Sequence, residues 1–179
     1  INFSYNHLET DGFRQNNSFN RDGLLLTSSV RLNDKNKLDF LINHTDYDSG
    51  IPSTINATDF EEDPRRAAAN WLAARGFEDN RYTLVGLSHS YRFNSNLRTT
   101  KSIFYTYLDH YEPRPFNILD EFTHGFGLRS LTEGNLWNGH FTLGAELYRD
   151  EYNWQTFFNQ FRDNDGNGSL QGQQLSDNK

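Results

Sequence analysis

The residues with the clearest ligand chemistry lie near the C-terminal end. Residues 163–170 read DNDGNGSL, with oxygen donors Asp163, Asp165 and Asn167 at alternate positions. Gly168 stands where a calcium loop makes its sharp turn, and apolar Leu170 follows. The twelfth position, which needs a bidentate carboxylate, holds Gln174, and a neutral amide supplies neither the charge nor the second oxygen. Weak calcium binding therefore competes with a simple solvated loop. His44, Asp46 and Asp48 alternate at one strand exit, and His110 and Glu112, with Asp109 beside them, do so at another. Hard cations accept such donors, yet strand ends that meet water carry charge anyway. Five arginines, Arg65, Arg66, Arg75, Arg81 and Arg114, sit in or near expected loops. Guanidinium forks match carboxylates bidentately, which suits an anionic, citrate-like chelate. EEDPRR (61–66) equally suits internal pairing on a surface.

Catalysis finds no comparable pattern. There is no Gly-x-Ser-x-Gly, no His-Glu-x-x-His and no phosphate loop. Asp109 and His110 are the nearest acid–histidine pair, but neighbours on a strand point to opposite faces. The formal net charge of -7 leaves no basic stripe for phosphates, so a nucleic-acid partner is not expected. Without cysteine there is neither a disulfide framework nor a thiolate metal site, and no cofactor is expected.

The elements that must position these groups are strands. In HFTLGAELYRDEYNW (140–154), Phe141, Leu143, Ala145 and Leu147 alternate with Thr142, Gly144, Glu146 and Tyr148. A period of two gives one oily and one wet face, and the run is more than twice the usual length of about 5–6 residues. The same design recurs. Ile1, Phe3, Tyr5 and His7 alternate with Asn2, Ser4, Asn6 and Leu8; Leu24, Leu26, Ser28, Val30 and Leu32 with Leu25, Thr27, Ser29 and Arg31. Phe40 and Ile42 oppose Asp39, Asn43 and Thr45, and Thr83, Val85, Leu87, Tyr91 and Phe93 oppose Gly86, Ser88, Ser90 and Arg92. Residues 103–108 are nearly all large and leave the faces of that strand ambiguous. Tight turns are expected at NDKN (33–36), NSN (94–96) and TEGN (132–135). Longer connections are expected at 11–23, 48–80, 112–120 and after Trp154. Pro64 and the alanines of DPRRAAANWLAAR (63–75) predict a short helix within the longest of them.

Long and short connections that alternate along seven long strands are the pattern of a transmembrane antiparallel β-barrel. Aromatic residues reach 15% of a chain that is only 35% hydrophobic, which suits interfacial girdles, and Tyr105, Tyr107, Tyr111, Trp137 and Trp154 are the expected members. Bacterial single-chain barrels have even strand numbers of at least about eight, so seven strands read as part of a wall. The chain, which starts at Ile1 in mid-strand, reads as a fragment of something longer.

Three stretches, DGFRQNNSFNRDGLLL (11–26), NHTDYDSGIPSTI (43–55) and above all SIFYTYLDHYEPRPFNILDE (102–121), resemble the barrel of TonB-dependent outer-membrane receptors of the ferric-citrate and siderophore type. The resemblance covers nearly the whole chain. It implies a barrel of about 22 strands, an N-terminal plug domain that this chain lacks, and import of iron complexes across the outer membrane of a Gram-negative bacterium. Its implied partners are outer-membrane lipid, the plug and remaining strands, the TonB energy-coupling complex reached through absent segments, and partner proteins in a larger assembly. Ligand capture is expected at the extracellular loops, 48–80 included, through Arg65, Arg66, Arg75, Arg81, Arg114 and Tyr111. Two other classes stay open: an outer-membrane barrel enzyme, and a soluble carbohydrate-binding β-sandwich with shorter strands.

Overall fold

The computed structural model describes residues 1–178. They form a single eight-stranded antiparallel sheet in which every strand pairs with its neighbours in sequence. The strands are β1 (Asn2–Thr10), β2 (Phe19–Arg31), β3 (Asn36–Gly50), β4 (Phe77–Asn94), β5 (Leu97–Arg114), β6 (Asn117–Leu136), β7 (Gly139–Asn159) and β8 (Gln171–Asp177). The sheet is all-β in class, barrel-like in its meander and not closed. A sandwich needs two packed sheets; among the described residues there is one.

Four expectations are corrected. The strand count is eight, because β8 forms within the polar stretch assigned to the calcium loop and pairs with the outer end of β7. The third tight turn is not TEGN. β6 runs through it to Leu136, paired Glu133 to Thr142 and Gly134 to Phe141, and the reversal falls at Trp137 and Asn138, with Trp137 at φ 54. Ladder pairing overrides the local turn preference of Glu-Gly-Asn. The connection after β5 is not a loop of medium length: β5 and β6 zip up to Arg114 and Asn117, leaving Pro115 and Phe116 as a two-residue reversal. The helix expected over 63–75 is also divided. α1 (Ala57–Glu62) precedes it, α2 (Ala69–Ala74) occupies its second half, and Pro64 lies in the non-helical stretch between them.

Register places the side chains in two sharply different sets. Leu87, Ile103, Leu128 and Leu147 lie side by side across β4–β7, as do Val85, Tyr105 and Phe126 one step outward. Leu26 and Ile42 continue this face across β2 and β3. Its apolar groups are open to the surroundings: Leu147 is 72% exposed, Leu143 71%, Phe126 63% and Ile103 55%. The opposite, polar face carries Ser88 bonded to Ser102, Ser90 to Thr100, Lys37 to Asp39, Arg98 to Glu133 and Arg129 to Glu146. On it the Phe104 ring lies over Gly127, where a Cβ would come 2.0 Å from Phe104 Cζ, and stacks on Tyr148. The buried hydrophobic residues are Ala67, Ala74, Ile118 and Phe161, all at the end of the sheet that bears the long connections.

Magnitude makes this arrangement informative. Burying one Leu, Ile, Val or Phe is worth about 1.5–3 kcal/mol. The open apolar face therefore forgoes on the order of 10 kcal/mol, comparable to the whole net stability of a domain, about 5–15 kcal/mol. Such a face needs a cover.

Candidate functional site

The long connections build one continuous rim. The β1–β2 connection (11–18) is bound along the β3–β4 connection (51–76) by non-local hydrogen bonds. Arg14 donates to the carbonyls of Ser53 (2.6 Å) and Arg66 (2.7 Å). Asn16, held at φ 53, donates to those of Ile51 (2.9 Å) and Gly76 (2.7 Å). Gln15 exchanges bonds with Arg65 and Ala67. At the far end of the same connection Ser169 Oγ donates to the Ala74 carbonyl, while buried Asn159 donates to Ser169 Oγ and to the Arg114 carbonyl. Trp71 meets Phe116 edge-on over the tight β5–β6 turn. Buried backbone acceptors are costly to leave unpaired, and these side chains satisfy several of them.

The five arginines fall into different places. Arg65 donates to the Phe13 carbonyl and stands over the Phe13 ring, 5.4 Å from its centroid. Arg66 is paired with Asp59 and Glu62. Arg75, the left-handed cap of α2, donates to the Gly166 carbonyl. Arg114, on the polar face, bonds Glu112 (3.1 Å) and Asn117 (2.8 Å) and covers Phe116. Arg81 and Tyr111 share the outward continuation of the apolar face, where Arg81 pairs with Asp46 (3.3 Å) and Tyr111 packs on Phe77. The rim thus holds Arg65, Arg66, Arg75 and Arg114, while Arg81 and Tyr111 stand away from them. Sequence reasoning passed over Arg14, Asn16 and Asn159. Their type was visible, but their carbonyl partners lie up to 60 residues away.

The remaining sequence candidates separate. Asp109 and His110 point to opposite faces; His110 Nδ1 bonds Asn80 Oδ1 at 2.7 Å and its ring nears Glu112 instead. No acid–histidine relay forms between them. Asp163 ends a 3-10 turn (Phe161–Asp163), Asp165 sits at φ 50, and Asn167 bonds back to Asn164. Gln174 lies in β8 and donates to Asp177. Among the described residues no three His, Cys, Asp or Glu side chains gather in a metal-holding group.

Along the apolar face the chemistry changes in tiers. Towards the short turns, His89 and Lys101 stand opposite one another. Towards the rim comes a cluster of rings: Tyr105, Tyr107 and Phe122 surround His124, Phe126 packs on Tyr105, and Tyr105 Oη bonds His124 Nδ1 at 2.7 Å. Beyond the rings lie Asp22, Asp46, Arg81 and Asp109 in one row, then Asp48, Asp79, Tyr111 and Asp120 in the next. Trp137 marks the opposite end at a short turn, whereas Trp154 lies on the polar face, opposite Glu121.

In the outermost tier burial raises the carboxyl pKa of Asp79, with Asp46, Asp109 and Asp48 adding to the rise against Arg81. Burial likewise raises Asp120, helped by Asp109. Such groups take up protons more readily folded than unfolded, so stability falls as pH rises from about 4 through the raised values. Asp79→Asn and Asp120→Asn are expected to leave the full-length protein as stable as wild type or more so at pH 7.5. That advantage should be smaller at pH 4.5. Denaturant midpoints in detergent micelles at the two pH values measure this, and a loss of stability at pH 7.5 would contradict it.

No family model matches the sequence, and no curated protein matches it. Among solved structures, the crystal structure of the ferric citrate transporter FecA in its unliganded form is similar to this chain, with a TM-score of 0.82 and 13% identity. The match covers 98% of this chain and 27% of that one. At that identity the likeness establishes the barrel-like fold and nothing finer.

Proposed function

We propose that this chain is part of the wall of an outer-membrane β-barrel in a Gram-negative bacterium, and that the complete barrel imports an iron complex, ferric citrate or a siderophore, by TonB-dependent transport. The observation that carries the reading is the open apolar face. Strands of up to 21 residues hold Leu, Ile, Val and Phe outward between a tier of rings and the short turns, while ion pairs and hydroxyl ladders line the other side. A lipid-exposed wall needs an apolar band about 25 Å tall, flanked by aromatic residues, with a polar interior. The likeness to a ferric citrate transporter supports the choice of cargo.

In this account the apolar band meets lipid, and the rings about His124 sit at the outer interface. The carboxylate tier and the rim stand in the external medium. The polar face lines the lumen and meets a plug domain supplied by other parts of the protein. Arg65, with the exposed Phe13 beneath its guanidinium and no carboxylate paired to it among the described residues, is the rim group best placed to receive an anionic chelate. The test uses the full-length protein. It should require detergent for extraction, and cells lacking it should lose uptake of iron-55 citrate or of an iron-55 siderophore, restored only with an active energy-coupling complex. Recovery in the aqueous fraction without detergent, or unchanged uptake of every ferric chelate, would overturn the proposal.

A further inference from the structure

The short-turn end of the polar face has a charge pattern that neither the wall nor the rim requires. Arg31 is registered directly opposite Lys37, and Arg92 directly opposite Arg98. Like charges facing one another across an antiparallel pair destabilise it. Lys37 and Arg98 have acidic neighbours, Asp39 at 2.7 Å and Glu133 at 2.6 Å. Among the described residues Arg31 and Arg92 have none. Lys35 joins them from the β2–β3 turn, where its carbonyl accepts from the Arg92 backbone N–H. Together these five cations, with one acid, Asp34, among them, border a cleft of about 80 Å³, on a protein whose net charge is -7.

The geometry points to a binding site for carboxylates, and we propose that its ligand is an acidic polypeptide segment. The cleft by itself takes only a small anion. The cations, however, spread over four adjacent strands, about 14 Å at the usual strand spacing. Successive Asp or Glu side chains of one polypeptide can reach that width, and Arg31 and Arg92 keep their forks free to receive them. The site stands on the charge pattern of the polar face alone and does not depend on what the apolar face meets or on the cargo.

The test uses the full-length protein in detergent micelles and a fluorescent hexaglutamate peptide. Hexaglutamate should bind with an affinity that falls as salt is raised, and the double variant Arg31→Ala/Arg92→Ala should weaken it at least about tenfold. Neither arginine side chain has a partner to lose among the described residues, and the Arg92 backbone bond to Lys35 survives the change, so the variant should fold. If the site already holds an acidic segment of the intact protein, hexaglutamate will not bind, and a photo-crosslinking residue at Ser90, which faces Lys37, will join an Asp- or Glu-bearing segment instead. Binding unchanged in the double variant, equal binding of hexalysine, or citrate binding as tightly as hexaglutamate would each overturn the proposal. So would failure of peptide binding together with no cross-link to an acidic segment.

Discussion

Leu128→Arg is expected to destabilise the full-length protein by about 2–4 kcal/mol, the cost of placing a guanidinium on the lipid face near the middle of a barrel wall. Leu128 is 54% exposed, between Ile103 and Leu147. By surface arithmetic alone, a charge at so open a position in a water-soluble protein would cost within about half a kcal/mol. The two environments therefore predict different outcomes for one substitution. Thr142→Arg on the polar face serves as the control, because it stands directly opposite Glu133, an acid that a new guanidinium can meet. It should cost far less than Leu128→Arg. Reversible folding into phospholipid bilayers, followed by denaturant titration, measures both. Equal and small costs at the two positions would remove the lipid from the account.

The second large effect belongs to the rim. Ile118 is fully buried, paired across β5 to Pro113 and across β7 to Phe157, just inside the tight reversal at Pro115 and Phe116. Truncation to Ala leaves a cavity in a small packed cluster and should cost about 2–5 kcal/mol locally. The rim is stitched by Arg14, Asn16, Asn159 and Ser169, so the loss should spread along it. Amide exchange in 51–76 and 160–170 should accelerate, while the strand interiors at 83–90 and 100–107 keep their protection. Exchange that accelerates only at residue 118 and its immediate neighbours would mean the loops are not coupled through this cluster.

The parts of this structure legible in the sequence are those governed by local periodicity. Phe141, Leu143, Ala145 and Leu147 share one face and Thr142, Gly144, Glu146 and Tyr148 the other, as alternation requires. The ambiguous stretch 103–108 resolves through its neighbours: Ile103, Tyr105 and Tyr107 join the apolar face because Leu87, Val85 and Thr83 stand beside them. Turns were less legible where pairing competes with composition. Glu133 and Gly134 look like a reversal, yet they are held in strand conformation by Thr142 and Phe141. Arg114 and Asn117 look like loop residues, yet they close a ladder. β8 was hidden because QGQQLSD has little apolar content and gains its order from β7.

The site was less legible still. Arginines in and near the connections are legible as residue types, but which remain free depends on contacts that spacing does not encode. Arg66 is held by Asp59 and Glu62, whereas Arg65 reaches the Phe13 carbonyl, 52 residues away. Arg81 and Tyr111 followed the strand period to the outward face. That outcome was implicit in the alternation, since Arg81 is two residues from Thr83 on the same side of β4.

The account rests on lipid meeting the apolar face, and a nitroxide scan along β7 tests that most directly. Single spin labels are placed in turn from Phe141 to Tyr148 in the full-length protein reconstituted in bilayers, and their collision rates with oxygen and with a water-soluble nickel chelate are compared. Oxygen collisions should peak at 141, 143, 145 and 147, and the even positions should be low in oxygen. A scan without a two-residue period, or one in which the nickel chelate reaches Leu143 and Leu147 freely, would contradict it.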